Sequence, residues 1–599
     1  MNIPIIAILF LAAACFVAWR AAPRESAEDA FVHGAGQVGL LGALALFGVD
    51  YFTSYFYAAG EMMSALHPHG LQEYAFIAVA VISGANLVFG GLYIYALGVF
   101  RDGGGAYSAA LRYLGAGAGL VVAVVLIQDY VMTIVVSSLS GVDQLLSIFQ
   151  QVGIAWYYHV ALGGSLCAAT WYLTIRGRAE SVSIVVGLLT LFVILTLAMF
   201  IGLVVAVQRG VQPAPAEELL GAAPSVTQAL FHLLTASMKG MVALTGLEAM
   251  SNGIQFVVDE DAPIVTWGRK HLPRLRSVWQ LYSGAAGIGR LVQTAFILYG
   301  AITTTLLTYY SIHFNVFDGT GGMTLVGNLA SIGFNQMEGG WVLYWAYQLL
   351  AVVLLAGASL TAFQDLQAVG WRNVAAGNLP EYIAFRNTAG TFTRPVTAGL
   401  LLALLVTLAV RGKTTVAVPF YGVGVFLPIT AMGFSIRAHI AKNSTGAARL
   451  AGMFGATTAA MLAITIFFGQ IIGKWHEGGW GAAISIAVVI VLANLLLIAP
   501  VGYRDPEQIR TIIREKSRIE GHVGSLVTWQ AMRMQEYRYS ILLTVSSAFA
   551  AVGVFRPMQP EKPPAAGSFD AWVFDNTADA LNMLANDLPE AGAASSKKQ

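Results

Sequence analysis

The sequence predicts an all-α membrane protein with about a dozen spanning helices. Hydrophobic residues make up 57% of the 599 residues and charged residues only 11%, whereas soluble domains carry roughly 25% charged residues. A helix needs roughly 20 mostly apolar residues to cross a bilayer, and apolar runs of about this length recur along the chain. The net charge of +1 argues against a nucleic-acid partner, which would require a basic surface.

The apolar runs form one leading segment followed by twelve more. They occupy residues 3–19, 37–66, 73–99, 115–147, 155–175, 181–207, 229–258, 290–313, 340–370, 395–411, 414–436, 450–474 and 480–501. The leading run has no basic residue before it and no clear cleavage site, which favours an extra membrane helix over a signal peptide, the alternative interpretation. We therefore predict an extra helix and linker (1–30), a twelve-helix domain (31–503) and a small cytoplasmic tail (504–599).

The arginine and lysine residues predict the orientation of these helices. If the loop with Arg20 and Arg24 is cytoplasmic, alternation of the spans places most other basic residues on the same side. These are Arg101, Arg112, Arg176, Arg178, those of 269–290 and 372–394, Arg437, Lys442 and Arg449. The asymmetry follows the positive-inside rule. It predicts a multi-pass protein of the plasma (inner) membrane with a cytoplasmic C-terminus.

The tail carries weaker signals. Residues 504–522 favour an amphipathic helix, and the end of the chain is typical of partial disorder. The segment 539–555 is interpreted as a strand or packed segment, with a re-entrant or spanning helix as the alternative.

Three carboxylates lie inside predicted spans. Asp50 lies in LFGVDYFTSYFYAAGEMM, Asp129 in LIQDYVMTIVVSSLSG and Glu248 in MVALTGLEAMSNG. A charged group inside a bilayer costs about 3 kcal/mol or more unless it faces a cavity or a partner, so each carboxylate is a candidate functional residue. The middle of these spans offers no Lys or Arg, so a bound cation or a proton should neutralise them.

Hydroxyl groups and glycines accompany these carboxylates. Thr133 and Ser137 follow Asp129 at i+4 and i+8, which places three oxygen-bearing side chains on one helix face. Glycine-rich stretches around Asp50 and Glu248 predict interrupted helices that expose backbone carbonyl groups. Oxygen ligands suit a hard cation, and a buried carboxyl group can also carry a proton.

At these residues the sequence resembles the APC superfamily, and within it the KimA-type potassium importers, which are relatives of the KUP transporters. The resemblance runs from about Gly36 to Tyr503. It rests on motifs in order: Asp50-x6-Tyr57, GGGAYSAALRYLG (103–115), Asp129-x3-Thr133-x3-Ser137, TGLEAMSNG (245–253), PFYGVGVF (419–426) and KWHEGGW (474–480). It implies an APC/LeuT-type 5+5 inverted repeat with broken core helices 1 and 6, two further helices, and a homodimer.

The resemblance also implies a role for each candidate residue. Potassium would be held by Asp129, Thr133, Thr245 and Tyr421. Asp50, Tyr57 and Ser137 would complete the pathway, and Glu248 would bind a cation or the coupled proton. No cofactor is implied beyond the transported potassium and proton, and the implied partners are the lipid bilayer and a small cation. The leading helix and the tail depart from the family pattern, so cyclic-di-AMP regulation and a tail-mediated dimer do not follow.

An amino-acid (or cationic amine) permease of the APC superfamily is the alternative function. Such permeases bind the substrate carboxylate at exposed backbone amides of core helix 1, where this chain has GVDYFTS. Asp50 would repel a carboxylate there and attract a cation. An enzyme, a channel or an ATP-driven pump has little support, because no HExxH, GxSxG, Walker or repeated pore-loop pattern occurs. We predict a secondary transporter that imports potassium by proton symport.

Overall fold

Nearly all of the described chain is helical. The computed structural model describes residues 25–26, 38–101, 103–176, 182–215, 224–375, 386–387 and 391–473, with 475, 480, 481, 484 and 488. Its helices are α1 (Leu40–Thr53), α2 (Tyr55–Leu66), α3 (Ala75–Val99), α4 (Gly105–Tyr113), α5 (Ala116–Ile148), α6 (Trp156–Ile175), α7 (Val182–Gln208), α8 (Val226–Gly240), α9 (Ala249–Gly253), α10 (Pro263–His271), α11 (Arg276–Leu281), α12 (Gly284–Phe314), α13 (Leu325–Phe334), α14 (Gly340–Ala375), α15 (Thr393–Ala409), α16 (Thr414–Asn443) and α17 (Gly446–Gly473). Within those ranges the strands are β1 (Glu25–Ser26) and β2 (Arg386–Asn387), which pair antiparallel. The predicted helix at 3–19, most of the run at 480–501 and the tail at 504–599 lie outside the described residues.

The helix bounds agree closely with the predicted spans. Within the described ranges, 9 helical segments are long and apolar enough to cross a membrane. Two further predicted runs match α6, of 20 residues, and α15, of 17 residues. The larger differences are at the end of α16, which reaches Asn443 whereas the apolar run ends at 436, and at α12, which begins at Gly284 whereas the apolar run begins at 290. The helix accommodates Arg290 because its guanidinium donates a hydrogen bond to the Ile94 carbonyl at 3.1 Å. The predicted all-α membrane class is confirmed.

The order of the elements repeats after five core helices. An interrupted helix (α1–α2) is followed by the long α3, the short α4, and then α5, α6 and α7. A second interrupted helix (α8–α9) is followed by the long α12, the short α13, and then α14, α15 and α16. Because five is an odd number of crossings, each helix of the second half runs opposite to its counterpart. This order is the one that an inverted five-helix repeat predicts.

The two interruptions differ in extent. Between α1 and α2 only Ser54 departs from the helix assignment, and its φ of −58° and ψ of −25° remain helical. Between α8 and α9 the chain passes through a 3₁₀ turn, Met241–Leu244, an extended Thr245 and then Gly246 with φ of +83°. A Cβ atom at Gly246 would lie 2.9 Å from the Tyr51 backbone nitrogen. Glycine is therefore required here both by the backbone conformation and by the close approach of the first interrupted helix.

Helices α5 and α14 pack against each other at the centre of the bundle. The Ser138 and Ser359 hydroxyl oxygens are 3.2 Å apart, and the Ser359 hydroxyl also donates to the Ile134 carbonyl at 3.4 Å. Small polar residues of this kind let two membrane helices approach closely and bond to each other. This packing brings the polar faces of α5 and α14 to one cavity.

Candidate cation site

A small cavity lies between α1, α5, α14 and the start of α9. Its volume is about 20 Å³. Carboxylates from four segments line it: Asp50, Asp129, Glu248 and Asp365. Among the described residues, no Lys, Arg or His lines this cavity. Like charges in a low-dielectric interior repel strongly, so the cavity requires cations or protons.

The carboxylates differ in their hydrogen-bond partners. Glu248 is held by two donors, because Oε1 accepts from the Ala106 backbone N–H at 2.7 Å and Oε2 from the Tyr93 hydroxyl at 3.3 Å. Asp50 and Asp129 each have a buried Oδ1 atom with no hydrogen-bond partner in the described part of the chain. A buried carboxylate oxygen is costly unless a hydrogen-bond donor or a cation satisfies it. The unpartnered oxygens therefore favour cation binding at Asp50 and Asp129.

A line of hydroxyl groups adjoins this cavity. The Tyr57 hydroxyl donates to Ser54 Oγ at 2.9 Å, and Ser54 Oγ lies 2.7 Å from Thr245 Oγ1. On the other side, Thr133 Oγ1 lies 3.0 Å from the Tyr421 hydroxyl. All five side chains are buried. The predicted potassium ligands Thr133 and Tyr421 are thus brought together directly, and Thr245 joins Tyr57 through Ser54.

Four predicted site residues are absent from the cavity lining: Tyr57, Ser137, Thr245 and Tyr421. Tyr57, Thr245 and Tyr421 belong to the line of hydroxyl groups, whereas Ser137 is fully buried on the helix that contributes Asp129 and Thr133. The Ser137 hydroxyl has no hydrogen-bond partner among the residues that the structure describes. The neighbouring Ser138, not Ser137, makes the contact with α14.

A wider depression, here called the vestibule, lies at the end of the bundle that the basic residues predict to face outside. Its charged and aromatic lining includes Tyr57, Glu61, Asp143, Trp156, His159, Asp318, Arg411 and Lys413. Asp143 accepts from the Thr414 hydroxyl at 2.6 Å and lies 3.1 Å from His159 Nε2. Because Tyr57 lines the vestibule and its hydroxyl continues to Ser54 and Thr245, this line of hydroxyls runs from the vestibule to Thr245, the chain neighbour of Gly246 in the cavity lining.

Helix α4 covers the cavity at the opposite end. Its first turn bonds Glu248, and a Cβ atom at Gly105 would lie 2.4 Å from Glu248 Oε1. Arg372 of α14 donates to Ser108 of α4 at 3.2 Å and to Gln255 at 2.9 Å. These bonds tie α14, α4 and the chain after α9 together on the predicted inner side.

Comparison with known proteins finds transporters. The chain is 26% identical over 405 residues to the potassium transporter KimA of Bacillus subtilis, and the match covers 66% of this chain and 60% of KimA. A solved mutant of the manganese transporter of Eremococcus coleocola aligns with 79% of this chain and 97% of its own, at 11% identity and a TM-score of 0.42. The same transporter in complex with an aromatic bis-isothiourea substituted compound aligns at 13% identity and a TM-score of 0.38, covering 79% of this chain and 96% of its own. No protein-family profile matches the chain. The relatives are transporters and not enzymes, as the sequence predicted for this chain.

Sequence reasoning missed Asp365, which lines the cavity together with the three predicted carboxylates. A signal was present, because Thr361 and Asp365 are four residues apart within the predicted span 340–370. Asp129 and Thr133 have the same spacing within the predicted span 115–147. Asp365 lies close to the end of that run, where a charged residue ordinarily reaches the membrane interface. Helix α14 continues to Ala375, so Asp365 lies farther inside the helix than the apolar run indicates.

Proposed function

We propose that this protein is a secondary transporter that imports a monovalent cation, with potassium as the substrate and proton symport as the coupled reaction. The observation that carries the proposal is the cavity lined by carboxylates and hydroxyls, without a basic side chain among its described lining. A site of one charge sign attracts counter-ions and rejects like charges. The similarity to a potassium transporter supports potassium as the cation.

In this proposal Asp129, Thr133, Thr245 and Tyr421 hold the potassium ion. The contact between Thr133 and Tyr421 supports a shared ligand position, since it brings oxygens from α5 and α16 to within 3.0 Å. The unpartnered Oδ1 of Asp129 supplies the negative charge. Carboxylate and hydroxyl oxygens are ligands that a hard cation prefers.

The remaining candidates serve the pathway. Tyr57 lines the vestibule and would pass the ion to the cavity beside Asp50. Glu248, at the covered end, would take a cation or the coupled proton. Ser137 has the least support, because it neither lines the cavity nor hydrogen-bonds to another candidate among the described residues. The order of the helices supports the APC/LeuT-type repeat as the scaffold, and the homodimer rests on the family resemblance alone.

The inward direction follows from the membrane potential. Moving one positive charge into a cell that is negative inside gains about 2.3 kcal/mol per 100 mV. Import of the ion together with a proton moves positive charge into the cell, so the potential and a proton gradient both drive uptake.

The test uses the full-length chain in proteoliposomes. We expect saturable uptake of radiolabelled rubidium, competed by potassium, which increases when the outside is made acidic. Labelled amino acids and a labelled diamine are assayed in the same vesicles. Saturable amino-acid or amine uptake without rubidium uptake would establish the permease instead. Rubidium uptake that does not depend on the proton gradient would support cation transport and would rule out proton symport.

A further inference from the structure

Helix α14 presents to the cavity an aspartate–threonine pair that matches the pair on α5. Asp129 and Thr133 are four residues apart on α5, and both line the cavity. Thr361 and Asp365 are four residues apart on α14, and both line the same cavity. Four residues are about one helical turn, so each pair forms one continuous polar edge.

The direction of the two helices aligns the pairs. Helices α5 and α14 are counterparts in the two halves, five crossings apart, so they run in opposite directions. The residue order is also reversed, since the aspartate comes first on α5 and the threonine comes first on α14. Both aspartates therefore lie nearer the predicted inner end than the threonine of their own pair. The cavity has two polar edges of the same composition and the same orientation.

The oxygens of the α14 pair are available to a ligand. The Thr361 hydroxyl donates to the Gly357 carbonyl at 3.1 Å, as the Thr133 hydroxyl donates to the Asp129 carbonyl at 3.0 Å. A hydroxyl that donates its hydrogen to the helix backbone keeps its oxygen lone pairs for a cation. In the described part of the chain, Asp365 has no hydrogen-bond or ion-pair partner. Asp50, only 8% exposed and with an unpartnered Oδ1, lines the same cavity.

The charge of the cavity requires more than one cation or proton. Of the four lining carboxylates, Glu248 is stabilised by the Ala106 N–H and the Tyr93 hydroxyl. Asp50, Asp129 and Asp365 have no comparable donors among the described residues. Each uncompensated buried charge costs several kcal/mol, and one potassium ion neutralises only one of them.

We propose that Thr361 and Asp365, together with Asp50, form a second monovalent-cation subsite beside the potassium ligands on α5. The inference rests on the proposed function and deepens it. The subsite takes the same hard cation as the first, held by carboxylate and hydroxyl oxygens. The loaded cavity then holds two ions, one on each polar edge.

The test is equilibrium binding of radiolabelled rubidium to the full-length protein in lipid nanodiscs at neutral pH. We expect about two rubidium ions per wild-type chain, since the aspartate of each polar edge neutralises the charge of one ion. We expect about one rubidium ion per Asp365→Asn chain. Asp365→Glu keeps the second ion, because it keeps the carboxylate. Thr361→Val weakens the second binding step by about tenfold, the effect of roughly 1.4 kcal/mol. Gln364→Ala changes an exposed neighbour on the same helix and serves as the matched control, with wild-type binding.

The outcomes separate this inference from the proposed function. One rubidium ion per wild-type chain, or two per Asp365→Asn chain, would overturn the second subsite while leaving cation transport in place. The absence of rubidium binding to the wild type would refute the proposed function itself. If gel filtration shows that Asp365→Asn does not fold, the rubidium titration of Thr361→Val tests the second subsite instead. An unchanged affinity for the second rubidium ion would overturn the subsite.

Discussion

The Glu248 carboxylate accepts a hydrogen bond from the backbone N–H of Ala106 at 2.7 Å. This bond joins the interrupted helix of the second half to the first turn of α4, which follows α3 in the first half. The first N–H groups of a helix have no partner within it and carry a positive partial charge. An ionised Glu248 satisfies such a group, so its charge and its hydrogen bond can be tested separately.

Glu248→Gln should abolish potassium-dependent growth of a strain that lacks its own uptake systems. The amide oxygen still accepts from Ala106, so the protein should fold, but the negative charge is lost. Glu248→Ala removes the bond as well and should lower the free energy of unfolding by about 1–3 kcal/mol. Growth rescue and thermal unfolding of both variants are the measurements. Normal rescue by Glu248→Gln would contradict a role for the charge.

Asp129→Asn should also abolish growth rescue and lower rubidium uptake in proteoliposomes by more than about tenfold, because a neutral amide replaces the charged ligand that the ion requires. The matched control is Asp261→Asn. Asp261 pairs with Arg269 outside the cavity, so the same chemical change should leave uptake near wild type. Equal uptake by Asp129→Asn and Asp261→Asn would show that Asp129 is not a ligand of the transported ion.

Gly246→Ala should destabilise the protein and reduce uptake. Its φ of +83° costs an alanine about 1–2 kcal/mol, and the added Cβ would lie 3.0 Å from Asp50 Oδ2. Gly455→Ala is the control, because Gly455 is helical with open space around it and alanine should stabilise that helix by up to about 1 kcal/mol. The unfolding temperatures of the two variants should shift in opposite directions from that of the wild type. Shifts in the same direction would contradict the close approach at Gly246.

Tyr57→Phe should reduce rubidium uptake several-fold without unfolding the protein. The substitution keeps the ring that lines the vestibule and removes only the hydroxyl that donates to Ser54 at 2.9 Å. A hydrogen bond of this kind contributes about 0.5–1.5 kcal/mol. Tyr158→Phe removes a hydroxyl from an exposed tyrosine and should have no effect on uptake. Identical uptake rates in the two variants would show that the hydroxyl line does not conduct the ion.

Asp318, in the loop between α12 and α13, should make stability depend on pH. Burial away from water raises the pKa of Asp318 from 3.8 to about 6, although the Leu325 N–H bond partly opposes this. The folded state keeps the proton to higher pH than the unfolded chain, so this contribution to stability is fully present below pH 3.8 and is lost as the pH rises through about 6.

Asp318→Asn cannot ionise, and its amide oxygen can still accept from Leu325. Its unfolding temperature, measured from acid to neutral pH, should fall less than that of the wild type. Parallel pH profiles for the two proteins would show that Asp318 does not titrate in this range.

The sequence predicted the spans to within a few residues, because hydropathy over about 20 residues depends only on the local chain. Eleven of the predicted runs, from 37–66 to 450–474, coincide with described helical segments. The error at α12 arose where an arginine inside a helix finds a carbonyl partner on α3. Such a partner is not visible in the sequence of α12 alone.

The candidate site was predicted in part. Asp50, Asp129, Thr133 and Glu248 line one cavity as expected for a shared site. Ser137, on the same predicted helix face as Asp129 and Thr133, does not, since a stripe at i, i+4 and i+8 continues along the helix beyond the cavity. Tyr57, Thr245 and Tyr421 are also outside the lining, in the adjoining line of hydroxyl groups. Whether those residues bind a cation stays a prediction.

The sequence by itself determined that the chain crosses a membrane many times and that carboxylates lie inside its spans, because composition, hydropathy and glycine content are properties of each segment. Only the tertiary structure decided that Asp365 joins Asp50, Asp129 and Glu248 around one cavity and that Glu248 is held by α4. The physical reason is that residues hundreds of positions apart meet through helix packing, which depends on the shapes of all the contacting faces together.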